Sequence, residues 1–155
     1  MTRRSQQAVR STFSDFVCMH CHNLVSAETA LSGVQNRNHC PYCLSSRHLD
    51  LFESGDRLSA CKAPMQPVAL TLKKTNKKYA GSRSGELMLV HQCQDCGRIS
   101  INRIAADDNV AAVFEIFEGS RQLDMSLKVV LARSGVSILE AGHQLLVREQ
   151  LLGRV

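Results

Sequence analysis

Cys18-Met19-His20-Cys21 and, after 18 intervening residues, Cys40-Pro41-Tyr42-Cys43 are the two stretches on which the reading of this chain turns. A Cys-x-x-Cys turn lets two thiolates converge while backbone N–H groups point at the sulfurs, and two such turns supply the four soft donors that tetrahedral zinc takes. The separation falls within the spacing of zinc ribbons. A redox pair is the competing reading, but redox Cys-x-x-Cys motifs come singly before a helix. The spacing therefore predicts a closed, structural site at Cys18, Cys21, Cys40 and Cys43, since a catalytic zinc keeps one position open.

Cys93-Gln94-Asp95-Cys96-Gly97 is a third knuckle, with glycine where a tight turn needs positive φ. Its partners must come from elsewhere, and Cys61 is the one cysteine left over. His48 lies outside both knuckles and is the choice for the fourth ligand. His91 is the alternative, cramped by standing two residues from Cys93, and spacing alone does not decide between them. A second site of Cys61, Cys93, Cys96 and one histidine follows, so two Zn²⁺ are expected. His20, His22 and His39 are expected to hydrogen-bond around the first site or to face water. His143, with no metal partner near it in sequence, is expected to be a surface or packing residue.

Chemistry divides the chain into a polar, basic N-terminus over residues 1–15, expected to be mobile, a metal module over 16–103 and a Cys-free helical extension over 104–155. Phe16-Val17-Cys18 reads as a short strand entering a knuckle. Residues 65–72, with alternating Val68, Leu70 and Leu72, read as a second strand, 73–85 as a basic loop, and 86–91 as the antiparallel partner. In the tail, Asp107 or Asp108 is placed to cap a helix striped by Val110, Val113, Phe114 and Phe117 and stopped at Gly119. A second helix is expected over 123–132, ending at Gly135. A third starts at Ser137, where Ser137-x-x-Glu140 has capping-box spacing and Ile138, Leu139, Leu145, Leu146, Leu151 and Leu152 supply an apolar face. The expected fold is small, α+β and metal-stabilised: zinc-ribbon-like β-hairpins with two zinc sites, followed by short C-terminal helices.

Composition agrees with a metal-braced core. Hydrophobic residues make up 44% of the 155, but aromatics only 5% with no Trp, which leaves few large anchors. Seven cysteines are an odd number, and six sit in Cys-x-x-Cys pairs rather than in a scattered disulfide frame, which points to the cytoplasm. No apolar run follows the basic start, and none approaches the ~18 residues of a membrane span, so a soluble protein is expected. A net charge of +5, from 19 Lys and Arg against 14 Asp and Glu, favours polyanionic partners.

The run Arg37-Asn38-His39-Cys40-Pro41 resembles the signature of the RNHCP-domain proteins, a bacterial zinc-ribbon-like family. The resemblance extends over Phe16-x-Cys18-x-x-Cys21, Cys43-Leu44-x-Ser46-x-His48-x-Asp50, Gly55-Asp56-Arg57, Cys61, Met65-x-Pro67, His91-x-Cys93-x-x-Cys96-Gly97 and Asn102-Arg103-x-Ala105-x-Asp107-Asp108-Asn109. Ser54 stands where the family usually has proline, and His22 where glycine commonly follows the second cysteine. Neither departure removes a ligand; both bear on local turn geometry. The resemblance implies zinc and brings no settled activity, so function has to be argued from the site.

Three functions compete. The first is a non-catalytic RNA- or ribosome-associated module, with Arg37, Lys73, Lys74, Lys77, Lys78 and Arg83 as candidate phosphate contacts and Tyr79 as a stacking surface; the bland alternative is a solvated loop. The second is an enzyme, such as a metal-dependent nuclease of the zinc-braced HNH kind, using Asn38, His39, Asp50, Asp56, Arg57, Asn102, Arg103, Asp107, Asp108 and Asn109. No His-Asn-His spacing of that kind is visible, and Asp56–Arg57 and the Asp107–Asp108 pair also read as an internal salt bridge and helix caps. The third is a protein adaptor docking through the C-terminal helices.

Overall fold

In the computed structural model, residues 15–34, 37–52, 56–73 and 85–153 are described. Strand β1 (Phe16–Val17) pairs antiparallel with β2 (Leu24–Val25) across the first knuckle, and a single helical turn, α1 (Thr29–Ser32), follows. A second sheet has the antiparallel order β3 (Ser46–Arg47), β4 (Pro64–Lys73), β5 (Glu86–Cys93), β6 (Ile99–Arg103). β4 and β5 form the long hairpin, running in register from Met65 opposite Cys93 to Lys73 opposite Glu86, with an irregularity between Pro67 and Ala69. Pro67 has no N–H to give to a ladder, and a bulge is where a strand tolerates that. The tail folds into α2 (Val110–Gly119), a 3₁₀ turn, α3 (Met125–Arg133), a second 3₁₀ turn and α4 (Gln144–Leu152).

The helices cover both faces of the β4–β5 hairpin. On one side Leu70, Leu87 and Leu89 pack with Val113 and Phe117 of α2 and with Val147 of α4. On the other, Ala69 and Val90 pack with Leu131 of α3. That two-sided cover explains why residues 87–91 are buried without a break, where a sheet wet on one side would alternate. The core is thus shared between residues before and after the change in composition near residue 104. No helix among the described residues is long and apolar enough to cross a membrane.

Two helix starts differ from expectation. The N-cap of α2 is Asn109, whose side chain accepts from the Ala112 N–H, because Asp107 and Asp108 are both engaged by Arg37. The third helix begins later than the Ser137 box: Ile138 instead bridges to Thr71, whose hydroxyl donates to the Ser137 carbonyl. The capping box present is Glu140 with His143, at the 3₁₀ turn before α4. Asn109→Ala should therefore lower stability by about 1 kcal/mol, and Ser137→Ala should stay within about 0.5 kcal/mol of wild type. Denaturant unfolding checks both, and equal losses would return Ser137 to the role of cap.

Candidate metal centres and polar cleft

The three knuckles share one backbone design. The first cysteine of each donates its N–H to the carbonyl five residues on, Cys18 to Asn23, Cys40 to Ser45 and Cys93 to Arg98, at 2.8–2.9 Å. Each first-cysteine carbonyl accepts from the residue after the second cysteine: His22, Leu44 and Gly97. All three of those residues have positive φ, 64°, 64° and 77°. Glycine takes that conformation freely, whereas His22 and Leu44 adopt it at a cost of about 1–2 kcal/mol. His22 thus keeps the turn that a glycine would make more easily.

These turns place Cys18, Cys21, Cys40 and Cys43 in one group and His48, Cys61, Cys93 and Cys96 in another, with the ligand atoms of each group within 4.8 Å of one another. The Cys18–Cys43 and Cys21–Cys40 sulfurs lie 3.6 and 3.5 Å apart, and Cys61–Cys93 3.6 Å. Four sulfurs at a Zn–S bond of 2.3 Å would stand about 3.8 Å apart, so the separations fit zinc. All seven cysteines are free thiols. Nδ1 of His48 faces the Cys96 sulfur at 3.3 Å, so this nitrogen is turned toward the ligand group. The His20 and Tyr42 backbone N–H groups point at the Cys18 and Cys40 sulfurs at 3.4 Å, and the Asn23 amide at Cys21 at 3.3 Å. Hydrogen bonds led by the Asn23 N–H draw the Cys21 thiol down to about 6, whereas burial pushes Cys40 well up. Burial opposes the same change at Cys93, yet the Cys96 and Asp95 N–H groups bring it to about 6.

His91, the alternative ligand, belongs to the core. It is 0% exposed, its Nε2 donates to the Leu44 carbonyl at 2.7 Å, and its Nδ1 accepts from the Asn102 amide at 2.8 Å. Burial first, and the neighbouring His39 second, push its pKa down to about 3, so the ring is neutral. His20 and His22 are exposed. His39 is buried with its Nε2 2.7 Å from Asp108 Oδ2, away from the thiolates.

Arg37 corrects an expectation. Rather than facing a nucleic acid, its side chain is 1% exposed and lies in a two-pronged ion pair with Asp107 at 2.8–2.9 Å and a second pair with Asp108 at 3.3 Å. Its Nε donates to the His39 carbonyl. Asp108 also accepts the Ala105 N–H, and Asn109 N–H donates to Pro41, so the start of α2 is fastened to the second knuckle. Asn38 joins Asp50 and Arg57, and Arg57 pairs with Asp50. Asp56 accepts N–H bonds from Leu51, Phe52 and Leu58, holding the turn. Lys73 is exposed at the end of β4; Lys74, Lys77, Lys78, Tyr79, Arg83, Ser54 and nearly all of the N-terminal segment lie outside the described residues.

A cleft of about 200 Å³ runs beside the second metal group, between the 47–52 segment and β6. Composition did not single it out, because its walls are 50 residues apart in sequence. Three cations stand close to ligands in sequence: Arg47 before His48, Lys62 after Cys61, and Arg98 two residues after Cys96. Arg47 donates to the Lys62 carbonyl, and Arg47 and Arg98 both line the cleft.

Two antiparallel sheets, C-terminal helices and two four-ligand Cys/His groups define a small α+β metal-binding module of zinc-ribbon type. The chain matches the RNHCP domain over residues 13–114 and belongs to that family. No curated protein and no solved structure matches it.

Proposed function

We propose that this chain is a zinc-braced, non-catalytic module that binds RNA, free or within the ribosome. The observation that carries the reading is the pair Arg47 and Arg98 on the wall of the cleft beside the second metal group, with the exposed Lys62 next to Cys61. Three thiolates around one Zn²⁺ sum to about −1, so three cations, even with Asp95 nearby, exceed what the site needs for neutrality. A cationic surface braced by metal suits phosphate contacts, which need position more than chemistry. The polar motif residues support the non-catalytic half: Arg37, His39, Asp107 and Asp108 bond one another, all but Asp107 being buried, and four protein donors at each metal group fill a tetrahedral shell.

The test is fluorescence anisotropy of labelled single-stranded RNA with the zinc-loaded chain at several salt concentrations. Affinity should fall steeply with salt, and Lys62→Ala with Arg98→Ala should flatten the log–log slope by about 1.4, at roughly 0.7 per phosphate contact. Absence of RNA affinity at low salt sinks the reading. Magnesium-dependent cleavage of the RNA that disappears in His39→Ala would overturn the non-catalytic half and favour a nuclease.

A further inference from the structure

The cleft beside the second metal group has the features of a site for one unpaired nucleotide. Its volume of about 200 Å³ is several times the ~30 Å³ of a water and below the ~300–1,000 Å³ that encloses a drug-sized molecule. One planar ring system fits that space. Phe52 lines it and is 79% exposed, a large aromatic surface left to solvent while its backbone N–H is held by Asp56 Oδ2 at 2.8 Å. Such a ring offers a stacking face to any base. Arg98, also on the wall, is exposed, and its guanidinium has no hydrogen bond or ion pair among the described residues. The carboxylate of Asp50 in the same wall is engaged by Asn38 and Arg57, which reduces its repulsion of an anionic ligand.

Asn102 supplies the selective element. The Leu44 carbonyl can only accept, so His91 carries its proton on Nε2 and offers a lone pair at Nδ1. The Asn102 NH₂ must therefore face His91, and it also reaches Ser100 Oγ at 3.3 Å. Its orientation is decided by a buried neighbour, and its carbonyl oxygen has no partner among the described residues. A fixed acceptor at the wall of a base-sized cleft favours a ring bearing an amino group.

Resting on the RNA reading above, we infer that this cleft holds one unpaired, amino-bearing base of a single-stranded RNA, stacked on Phe52, accepted by Asn102 Oδ1, with its phosphate on Arg98. The experiment measures anisotropy of labelled oligoadenylate, oligocytidylate and oligouridylate with the zinc-loaded full chain. Adenylate and cytidylate strands should bind several-fold tighter than uridylate. Phe52→Ala, a change at an exposed position, should weaken adenylate roughly tenfold, while Phe52→Tyr should retain affinity. Asn102→Ala, checked for retained zinc, should remove the preference, bringing adenylate and cytidylate down to the affinity shown by uridylate. Equal affinity for all three strands, or Phe52→Ala binding like wild type, overturns the cleft assignment and leaves RNA binding standing on the cations alone. No affinity for any strand defeats both readings. An oligoglutamate peptide displacing adenylate at equal concentration would overturn the base in favour of an acidic peptide.

Discussion

Removing zinc is expected to unfold the chain well beyond its knuckles, and elemental analysis is expected to find two zinc ions per chain. β1 and β2 have two residues each, and the small core between them is made of Cys18, Val25 and Cys40 with Phe16, Cys21 and Cys43 around it. Four of those six are ligands, so without metal little apolar surface remains to hold the ribbon. Zinc bound to a structural site contributes about 10–16 kcal/mol at neutral pH, comparable with the whole ~5–15 kcal/mol stability of a domain. Loss spreads because the second knuckle carries Leu44, which is fully buried in the main core, and the Pro41 carbonyl that fastens α2. The two groups should differ in severity. Cys40 is 0% exposed, so Cys40→Ser leaves no route for water to replace the sulfur, and one zinc with most dispersed amide signals should be lost. Cys96 is exposed, and Cys96→Ser should keep a weaker second zinc with water at the vacated corner. A strong chelator that leaves the amide spectrum native would rule out the metal-braced account.

The two Cys/His groups were legible in sequence because knuckle geometry is local: four residues carry two donors, and the turn that aims them is built from their own backbone. His48 over His91 was a choice by elimination; the folded chain resolves it through a long-range contact, the Leu44 carbonyl, that claims His91 for the core. Helix starts were less legible. Asp107, Asp108 and Asn109 are all able N-caps, and tertiary pairing with Arg37, 70 residues away, decides which one remains for the task. The alternation in β4 marked a strand but not what covers its second face, because α3 arrives there from more than 50 residues downstream. Arginine is seldom buried unless paired, and no local pattern announced that Arg37 would find two carboxylates. The same distance explains the motif itself. Arg37 looks like a phosphate contact and His39, Asp107 and Asp108 like scattered catalytic candidates along the chain, yet the four meet as one cluster in space, with Asp107 at its solvent edge.

That cluster carries the second large effect. Arg37→Ala is expected to cost about 3–5 kcal/mol, the loss seen when one partner of a buried ion pair is removed and the other keeps its charge. The side chain of Asp108 is 0% exposed and that of Asp107 32%, so water can relieve the second but not the first. Melting should fall by on the order of 10 °C for a chain of this size, while zinc content stays at two per chain. That separates the cluster from the metal sites. His39→Ala should cost less, about 1–3 kcal/mol, because Asp108 keeps Arg37 and the Ala105 N–H. Arg37→Ala with Asp108→Ala should lose less than the sum of the two singles, since the double removes the stranded charge. The Arg103–Glu86 pair is an internal control: at 55% and 34% exposed, Glu86→Ala should cost no more than about 1 kcal/mol. If Arg37→Ala proved as mild as Glu86→Ala, the buried cluster would not be what joins the second knuckle to α2, and its residues would again need a role in binding or chemistry.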